Sequence, residues 1–263
     1  MLGPTVEPTS PTILAERLLS QHRPKDFSAG YWKLIADNAE RWACEFGAGP
    51  FWGAANQNLG AWRQEFRQKF GGSLLASDGL PPLVGKSDRS IADKVGRKLG
   101  KNGEELDKIF PVDRPFVPQI SDLVRTRVQC KFIDGVEFLA TKLADLATDM
   151  GCLKARDRQG KVEGYFAQHV TVEQDAFYRI GGAAVACKVT FEIQVASDLA
   201  TKMWEATHLL YEVDRGDTEA PQPKDWQWDA SNPRFISNQL GHMMHLADGL
   251  LVQLRNTSSG EKK

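Results

Sequence analysis

The sequence predicts an α+β fold: a mixed or antiparallel β-sheet flanked by helices, with helical extensions at the N- and C-terminal ends. Three observations predict it. Val185, Cys187, Val189, Phe191, Ile193 and Val195 take every odd position of one run, with Lys188, Thr190, Glu192 and Gln194 between them. Side chains alternate faces along a strand, so this run is a strand with one apolar face. A second run, Asp122 to Phe132, sets Val124, Thr126, Val128, Cys130 and Phe132 against Arg125, Arg127, Gln129 and Lys131. Around these strands, apolar residues recur at helical spacing, in the order helices, then strand–helix–strand–strand–helix, then helix.

Residues 1–11 are rich in Pro, Thr and Gly and read as a disordered lead-in. A short helical pattern covers Ile13 to Leu19, and a second runs from about Ser28 to Phe46, with Tyr31, Leu34, Ile35, Ala39, Trp42 and Ala43 on one side. A third, about Gly53 to Phe70, carries Leu59, Trp62, Phe66 and Phe70 as packing residues. A Gly/Pro-rich joint from Gly71 to Pro82 leads to a basic segment, in which Ser87 or Asp88 caps a helix and Ile91 and Val95 point inward. After the joint Asp113–Pro118 and the Asp122 strand, a helix from Gly135 to Met150 ends at Gly151.

Lys154 to Gly164 reads as a charged loop, and Tyr165 to Glu173 as a strand. A turn at Gly181-Gly182 leads into the alternating run. Ser197 caps a helix with Leu199, Met203, Ala206, Leu210 and Val213 at 4-3-4-3 spacing. Asp214 to Ser231 is a loop holding Trp226 and Trp228, for which packing is the expected role. Asn232 then Pro233 signals an N-cap and a proline at the first helical position. The last helix, to about Leu254, carries the stripe Ile236, Leu240, Met243, Ala247, Leu250 and Leu254, expected to pack on the core or on a second copy of the chain. The organisation predicted is 1–11 lead-in, 12–82 helical region, 83–230 core domain and 231–263 terminal helix and tail.

A net charge of −1 over 263 residues gives no global electrostatic case for nucleic acid or an anionic membrane, so any basic site is local. No apolar run reaches membrane-spanning length and the N-terminus lacks a basic-then-apolar signal pattern, which predicts a cytoplasmic protein with no membrane partner. Cys44, Cys130, Cys152 and Cys187 form no CxxC and are expected as buried free thiols. His242 and His245 stand three apart on the last helix without a carboxylate of similar pattern, so packing outweighs a metal there.

The chemistry-bearing residues are two strand carboxylates, Asp122 at a strand entrance and Glu192 within a strand, and a basic helix start with Lys86, Arg89, Lys94, Arg97, Lys98 and Lys101. Free N–H groups, the helix dipole and cationic side chains together favour an anion. Mg²⁺ takes one or two protein carboxylates and completes its shell with phosphates and water. With Tyr165 and a cationic strand face, this set fits phosphoryl transfer, in which catalysis is positioning plus charge neutralisation. A solvated sheet face and a solvated basic helix are the plainer alternatives.

Ile120-Ser121-Asp122-Leu123-Val124-Arg125-Thr126-Arg127-Val128, then Gly164-Tyr165-Phe166-Ala167-Gln168-His169, then Phe191-Glu192-Ile193-Gln194-Val195 resemble, in order and spacing, the synthetase domain of RelA/SpoT-type alarmone synthetases. Lys86 to Lys98 resembles that family's ATP-binding helix start, and the resemblance covers about residues 83 to 213. It implies a nucleotidyltransferase-like sheet and a small stand-alone synthetase that transfers pyrophosphate from ATP to a ribose 3′-hydroxyl, usually of GDP or GTP. Asp122 and Glu192 would ligate Mg²⁺, and Glu192 could instead help deprotonate the attacking hydroxyl. Lys86, Lys94, Arg97 and Arg127 would serve ATP. Tyr165 would stack on the acceptor base, His169 and Lys161 would touch acceptor phosphates, and Gln194 would support that side.

The chain departs from the family pattern at three places. Val84 stands where an adenine-stacking arginine is usual, and Ala196-Ser197 where Arg-Thr is usual. The basic loop before Gly164 is shorter, though Lys154, Arg156, Arg158 and Lys161 populate it. Three functional readings follow: a synthetase of (p)ppGpp, a toxin of the same family that modifies tRNA 3′ ends or adenosine nucleotides and has an antitoxin, and an inactive nucleotide-sensing module. Family members also assemble through flanking helices, which implies a homo-oligomer.

Overall fold

A computed structural model describes residues 29–99, 109–110, 117–160, 164–215 and 227–260. The helical pattern expected at 13–19, residues 113–116 of the expected joint, Lys161 and Trp226 lie outside the described residues. Five strands, β1 (Val84–Gly85), β2 (Val124–Cys130), β3 (Leu153–Gly160), β4 (Phe166–Ile180) and β5 (Ala183–Ser197), form one sheet in the order β1-β2-β5-β4-β3. The sheet is mixed, with one parallel pair, and the fold class is α+β as expected. β1 runs antiparallel to β2, with Val84 opposite Arg125 and Gly85 opposite Val124. β4 and β5 are joined through Gly181 and Gly182, at φ of 54° and 85°. Two successive positive φ values are what a tight hairpin between twisted strands requires, and glycine reaches them without steric cost.

The chain falls into two units. The first holds the described residues of Met1–Gly49, Pro82–Arg125 and Thr171–Glu192. Its helix α1 (Ala29–Gly47) buries Tyr31, Ile35, Ala39, Trp42 and Phe46, the stripe read from the sequence and its continuation. Asn38 joins α1 to β4: its amide donates to the Arg179 carbonyl at 3.0 Å, and its side-chain oxygen accepts the Arg179 N–H at 2.8 Å. The Trp42 indole donates to the Phe177 carbonyl at 3.0 Å, and Phe46 meets Phe191 at 5.6 Å between ring centroids. α1 lies so close to β1 that a Cβ at Gly85 would stand 2.7 Å from the Glu40 Cα.

The second unit holds Pro50–Pro81, Thr126–Val170 and Ile193–Lys263, again for the described residues. Helix α2 (Pro50–Phe70) meets α4 (Ile133–Asp149) through Phe66 and Phe138, 5.3 Å apart and edge-on, and through a Lys142–Glu65 ion pair at 2.7 Å. Ser197 caps α5 (Asp198–Arg215), accepting the Ala200 N–H at 3.1 Å, and Asn232 caps α6 (Pro233–Gly260), accepting the Arg234 N–H at 2.9 Å. α4 carries no side-chain cap of its own at Phe132, and Asp248 of α6 takes that place by accepting the Ile133 N–H at 3.2 Å. Arg255, about two turns further along α6, pairs with Asp134.

Several expectations need correction. The charged stretch read as a loop contains β3, an edge strand whose cations face outward or reach neighbouring carboxyls. Of the two alternatives for the α6 stripe, packing on the core is not what the described residues show: Ile236, Met243, Leu250 and Leu254 are 44%, 58%, 54% and 65% exposed. The buried face of α6 carries Asn238, Gly241 and Asp248 instead. Over residues 198–207 of α5, the part whose side chains are described, the buried positions are Thr201 and Thr207, while Ala206 is exposed. Trp228 is exposed, and of the four free cysteines only Cys130 is buried. Among the described residues, no helix is long and apolar enough to cross a membrane.

Replacing Gly85 with Ala is expected to lower stability by about 1–3 kcal/mol, because the added methyl meets helix backbone that cannot rotate away; urea unfolding measures it, and an unchanged midpoint would contradict the close approach. Asp248 is 1% exposed, and burial raises its carboxyl above the usual range. A raised folded value favours the protonated form, so this stability is full below the unfolded value and is lost as pH rises through the folded one. The stability of the wild type relative to Asp248→Asn should therefore increase as pH falls from neutrality, which thermal unfolding of both proteins across pH would measure.

Candidate functional site

Asp122 is the centre of the first unit's polar cluster. It sits in the turn entering β2 and is 6% exposed. Lys86 follows β1 directly, and its N–H donates to the Leu123 carbonyl at 2.8 Å, which carries the β1–β2 pairing one residue further. That places the Lys86 ammonium 2.9 Å from Asp122 Oδ2, itself only 8% exposed. α3 (Asp88–Leu99) begins two residues on, where the Ser87 hydroxyl accepts the Ser90 N–H and Ile91 and Val95 are fully buried, as expected. This seating of α3 brings Lys94 to 2.7 Å from Asp122 Oδ1. Arg125, on β2, stands at 4.0 Å from Oδ2.

Electrostatics follows from that packing. Burial works to raise the Asp122 carboxyl, but the charges and hydrogen bonds of Lys94 and Lys86 outweigh it and hold the group below the usual carboxylate range. Burial lowers the Lys86 ammonium from its ordinary value, and the attraction of Asp122 offsets only part of this. The result is one carboxylate held between two ammonium groups, with local positive charge in excess. Glu192, in the same unit, is 8% exposed on β5, on the face opposite Phe191 and Ile193. Val84 is exposed on β1.

The second unit holds the other predicted side chains. Tyr165 and His169 meet through a 3.1 Å hydrogen bond between the phenol oxygen and Nε2. The Tyr165 ring packs edge-on against Trp204 of α5, with centroids 5.0 Å apart. Arg127 of β2 donates to Gln194 Oε1 of β5 through Nε at 3.4 Å and a terminal nitrogen at 3.3 Å. The sequence therefore pairs Lys86 and Lys94 with Asp122, Tyr165 with His169, and Arg127 with Gln194. Arg97 lies on α3 with its side chain outside the described residues, as is all of Lys161.

Sequence reasoning missed Arg125 as a neighbour of Asp122, although its i+3 position at a strand entrance was the available signal. It also missed Trp204, which falls off the apolar stripe assigned to its helix. Arg156 and Arg158, counted among the loop cations, are committed elsewhere: both donate to Glu137 Oε1, at 2.8 and 2.7 Å, and Arg156 also donates to Gln168. His242 and His245 both pack on Phe166, His245 stacked at 3.7 Å between ring centroids. Among the described residues, no group of three or more His, Cys, Asp or Glu side chains is arranged to hold a metal by itself. A Mg²⁺ site here would need the two-carboxylate habit, completed by substrate oxygens and water.

Neither a family model nor a curated protein matches the chain. Solved structures do. A GTP pyrophosphokinase family protein from Streptococcus pneumoniae is 17% identical over 82% of this chain and 94% of its own, with a TM-score of 0.44. The small alarmone synthetase 1 from Bacillus subtilis, bound to its product pppGpp, is 14% identical over 84% and 95%, with a TM-score of 0.48. The small alarmone synthetase 2 from the same organism is 16% identical over 77% and 94%, with a TM-score of 0.43. With similarity at this level, the chemistry of the site rests on this chain's own side chains.

Proposed function

We propose that the protein is a Mg²⁺-dependent ATP pyrophosphokinase whose acceptor is a guanosine nucleotide, making (p)ppGpp. The observation that carries this reading is the buried Asp122 carboxylate held by Lys86 and Lys94 at 2.9 and 2.7 Å, with Arg125 at 4.0 Å. Phosphate oxygens are the natural competitors for those ammonium groups, and a carboxylate released from them is a hard oxygen donor for a divalent cation. The donor set fits Mg²⁺: Asp122 and Glu192 offer carboxylate oxygens, with no thiolate or imidazole in the group to favour a softer metal. When bound, the ion would neutralise charge on the transferring phosphates.

In this reading Lys86 and Lys94 hold the ATP phosphates, and Arg97 and Arg127 add positive charge on the donor side. The acceptor's 3′-oxygen attacks the β-phosphorus of ATP. The bond from that phosphorus to the α–β bridging oxygen breaks, AMP leaves, and Glu192 takes the hydroxyl proton. Tyr165 stacks on the acceptor base, while His169, Lys161 and Gln194 serve the acceptor's polar groups. A second reading, a nucleotide-sensing module without transfer, is favoured by Val84, which offers no planar cation to adenine, and by the self-contained pairing of Asp122 with its two lysines.

The α6 stripe supports self-association as part of this proposal. From Phe235 to Leu254 the only acidic or basic side chain besides histidine is the buried Asp248. Two copies of such a face meet without like-charge repulsion, and the 4-3-4-3-4 spacing is that of a helix–helix seam.

Incubation with γ-labelled ATP, Mg²⁺ and a panel of GDP, GTP, AMP, ATP and tRNA, resolved by thin-layer chromatography, is expected to place label on a guanosine nucleotide. Asp122→Asn and Glu192→Gln should each reduce the rate by about a hundredfold or more. Label on tRNA or an adenosine nucleotide would move the acceptor, and no label from folded protein that binds ATP would establish the sensing module. For the stripe, sedimentation should find an oligomer that Leu246→Glu with Leu250→Glu converts to monomer; a monomeric wild type would refute self-association.

A further inference from the structure

Tyr165 is held by two helices that the sequence motifs do not include. Gly164, just before it, has a φ of 72° and lies against α6. A Cβ at Gly241 would stand 2.9 Å from both the carbonyl carbon and the Cα of Gly164, and closer still to the Gly164 oxygen. A Cβ at Gly164 would meet the Asn238 carbonyl oxygen at 2.6 Å and the Gly241 Cα at 2.9 Å. Backbone thus rests on backbone, and neither position admits a side chain. From the other side, Trp204 of α5 meets the Tyr165 ring edge-on, and Tyr165 then reaches His169. The crevice bounded by Gly164, Tyr165, Ala200, Trp204, Ser237 and Gly241 is narrow, with about 20 Å³ open to water-sized groups.

We propose that Gly241 and Trp204 are positioning residues for Tyr165: α6 fixes the backbone at Gly164, α5 fixes the ring, and together they set the platform that receives the acceptor base. This rests on the reading of Tyr165 as that platform. A flat base gains from stacking only if the ring is presented at a fixed angle, so displacing the backbone one residue before it acts on acceptor binding and leaves the Lys86–Asp122–Lys94 cluster untouched. α6 supplies an internal control. Gly249 lies on the same helix with open space at its Cβ, so Gly249→Ala carries the same gain in helix propensity without the contact.

The test is equilibrium binding of labelled GDP and, separately, labelled ATP to four full-length proteins: wild type, Gly241→Ala, Gly249→Ala and Trp204→Leu. Gly241→Ala and Trp204→Leu should each weaken GDP binding by about tenfold, the scale of a lost base–aromatic stack. ATP binding should hold within about twofold in both, and Gly249→Ala should match wild type for both nucleotides. A purely structural role would weaken both nucleotides together. Folded Gly241→Ala that binds GDP as wild type does would overturn the role of α6. Should that variant not fold, Trp204→Leu with unchanged GDP binding overturns the proposal in its place. Wild type that binds no GDP would overturn both the acceptor reading and this proposal. Wild type that binds GDP without transferring pyrophosphate would overturn only the chemistry, and the binding comparison would still decide the positioning role.

Discussion

Asp122 cannot stay buried and charged by itself. Removing a carboxylate from water costs several kcal/mol, and only close opposite charge with good hydrogen-bond geometry offsets that. The chain meets this need with ammonium groups from two different elements, Lys86 after β1 and Lys94 in α3. That requirement propagates outward. Lys86 reaches Asp122 because its own N–H continues the β1–β2 pairing. β1 can lie where it does because Gly85 lets α1 approach, and α3 is seated by Ile91 and Val95. A two-residue strand would be a trivial element anywhere else. Here it is the hinge pin of the charge cluster, and its register fixes one of the two cations.

The same cluster explains how a buried charged group stays assembled by its own contacts. Two lysines facing each other across a low-dielectric pocket would repel, and desolvation already disfavours the charged form of Lys86. A single shared carboxylate relieves both problems. It also leaves the group cationic overall, which is the sign a polyphosphate needs. Under the proposed function, such a site would exchange partners on binding instead of assembling from nothing. The energetic difference between its two states is smaller than the gross strength of either set of contacts.

Much of this was legible in the sequence where a local rule coincides with the tertiary result. The alternation in β2 and β5 and the caps at Ser87, Ser197 and Asn232 each follow from backbone chemistry within a few residues, and so does the Gly181-Gly182 turn. Asp122, Lys86 and Lys94 were singled out by a resemblance plus charge, but their pairing with one another was not read from the sequence, because it depends on the β1–β2 register and the seating of α3. β3 was not legible because its signal is inverted. An edge strand with little buried surface tolerates charge on both faces, so Arg156 and Arg158 looked like loop residues. Trp204 was hidden for a related reason: its partner is Tyr165, far away in sequence, and helical periodicity carries no information about that contact.

α6 carries the sharpest form of this lesson. Its apolar periodicity is regular, and the rule that the apolar stripe faces the core would turn the helix about its axis. The observed face is set by three small or polar residues instead. Gly241 permits backbone contact with Gly164, Asp248 supplies the cap that α4 lacks, and Arg255 reaches Asp134. Each is specific in a way that greasy surface is not, because a backbone contact or a capped N–H is satisfied in only one rotation of the helix. Burial of the stripe within the chain would forfeit all three. The helix is therefore oriented by its polar contacts, and the apolar face is left outward as a consequence. An exposed face this regular, on the same helix that braces Gly164, ties whatever covers it to the geometry of Tyr165. Under the proposed function, a partner on the stripe would bear on Tyr165 through one rigid element, with no intervening loop to absorb the displacement.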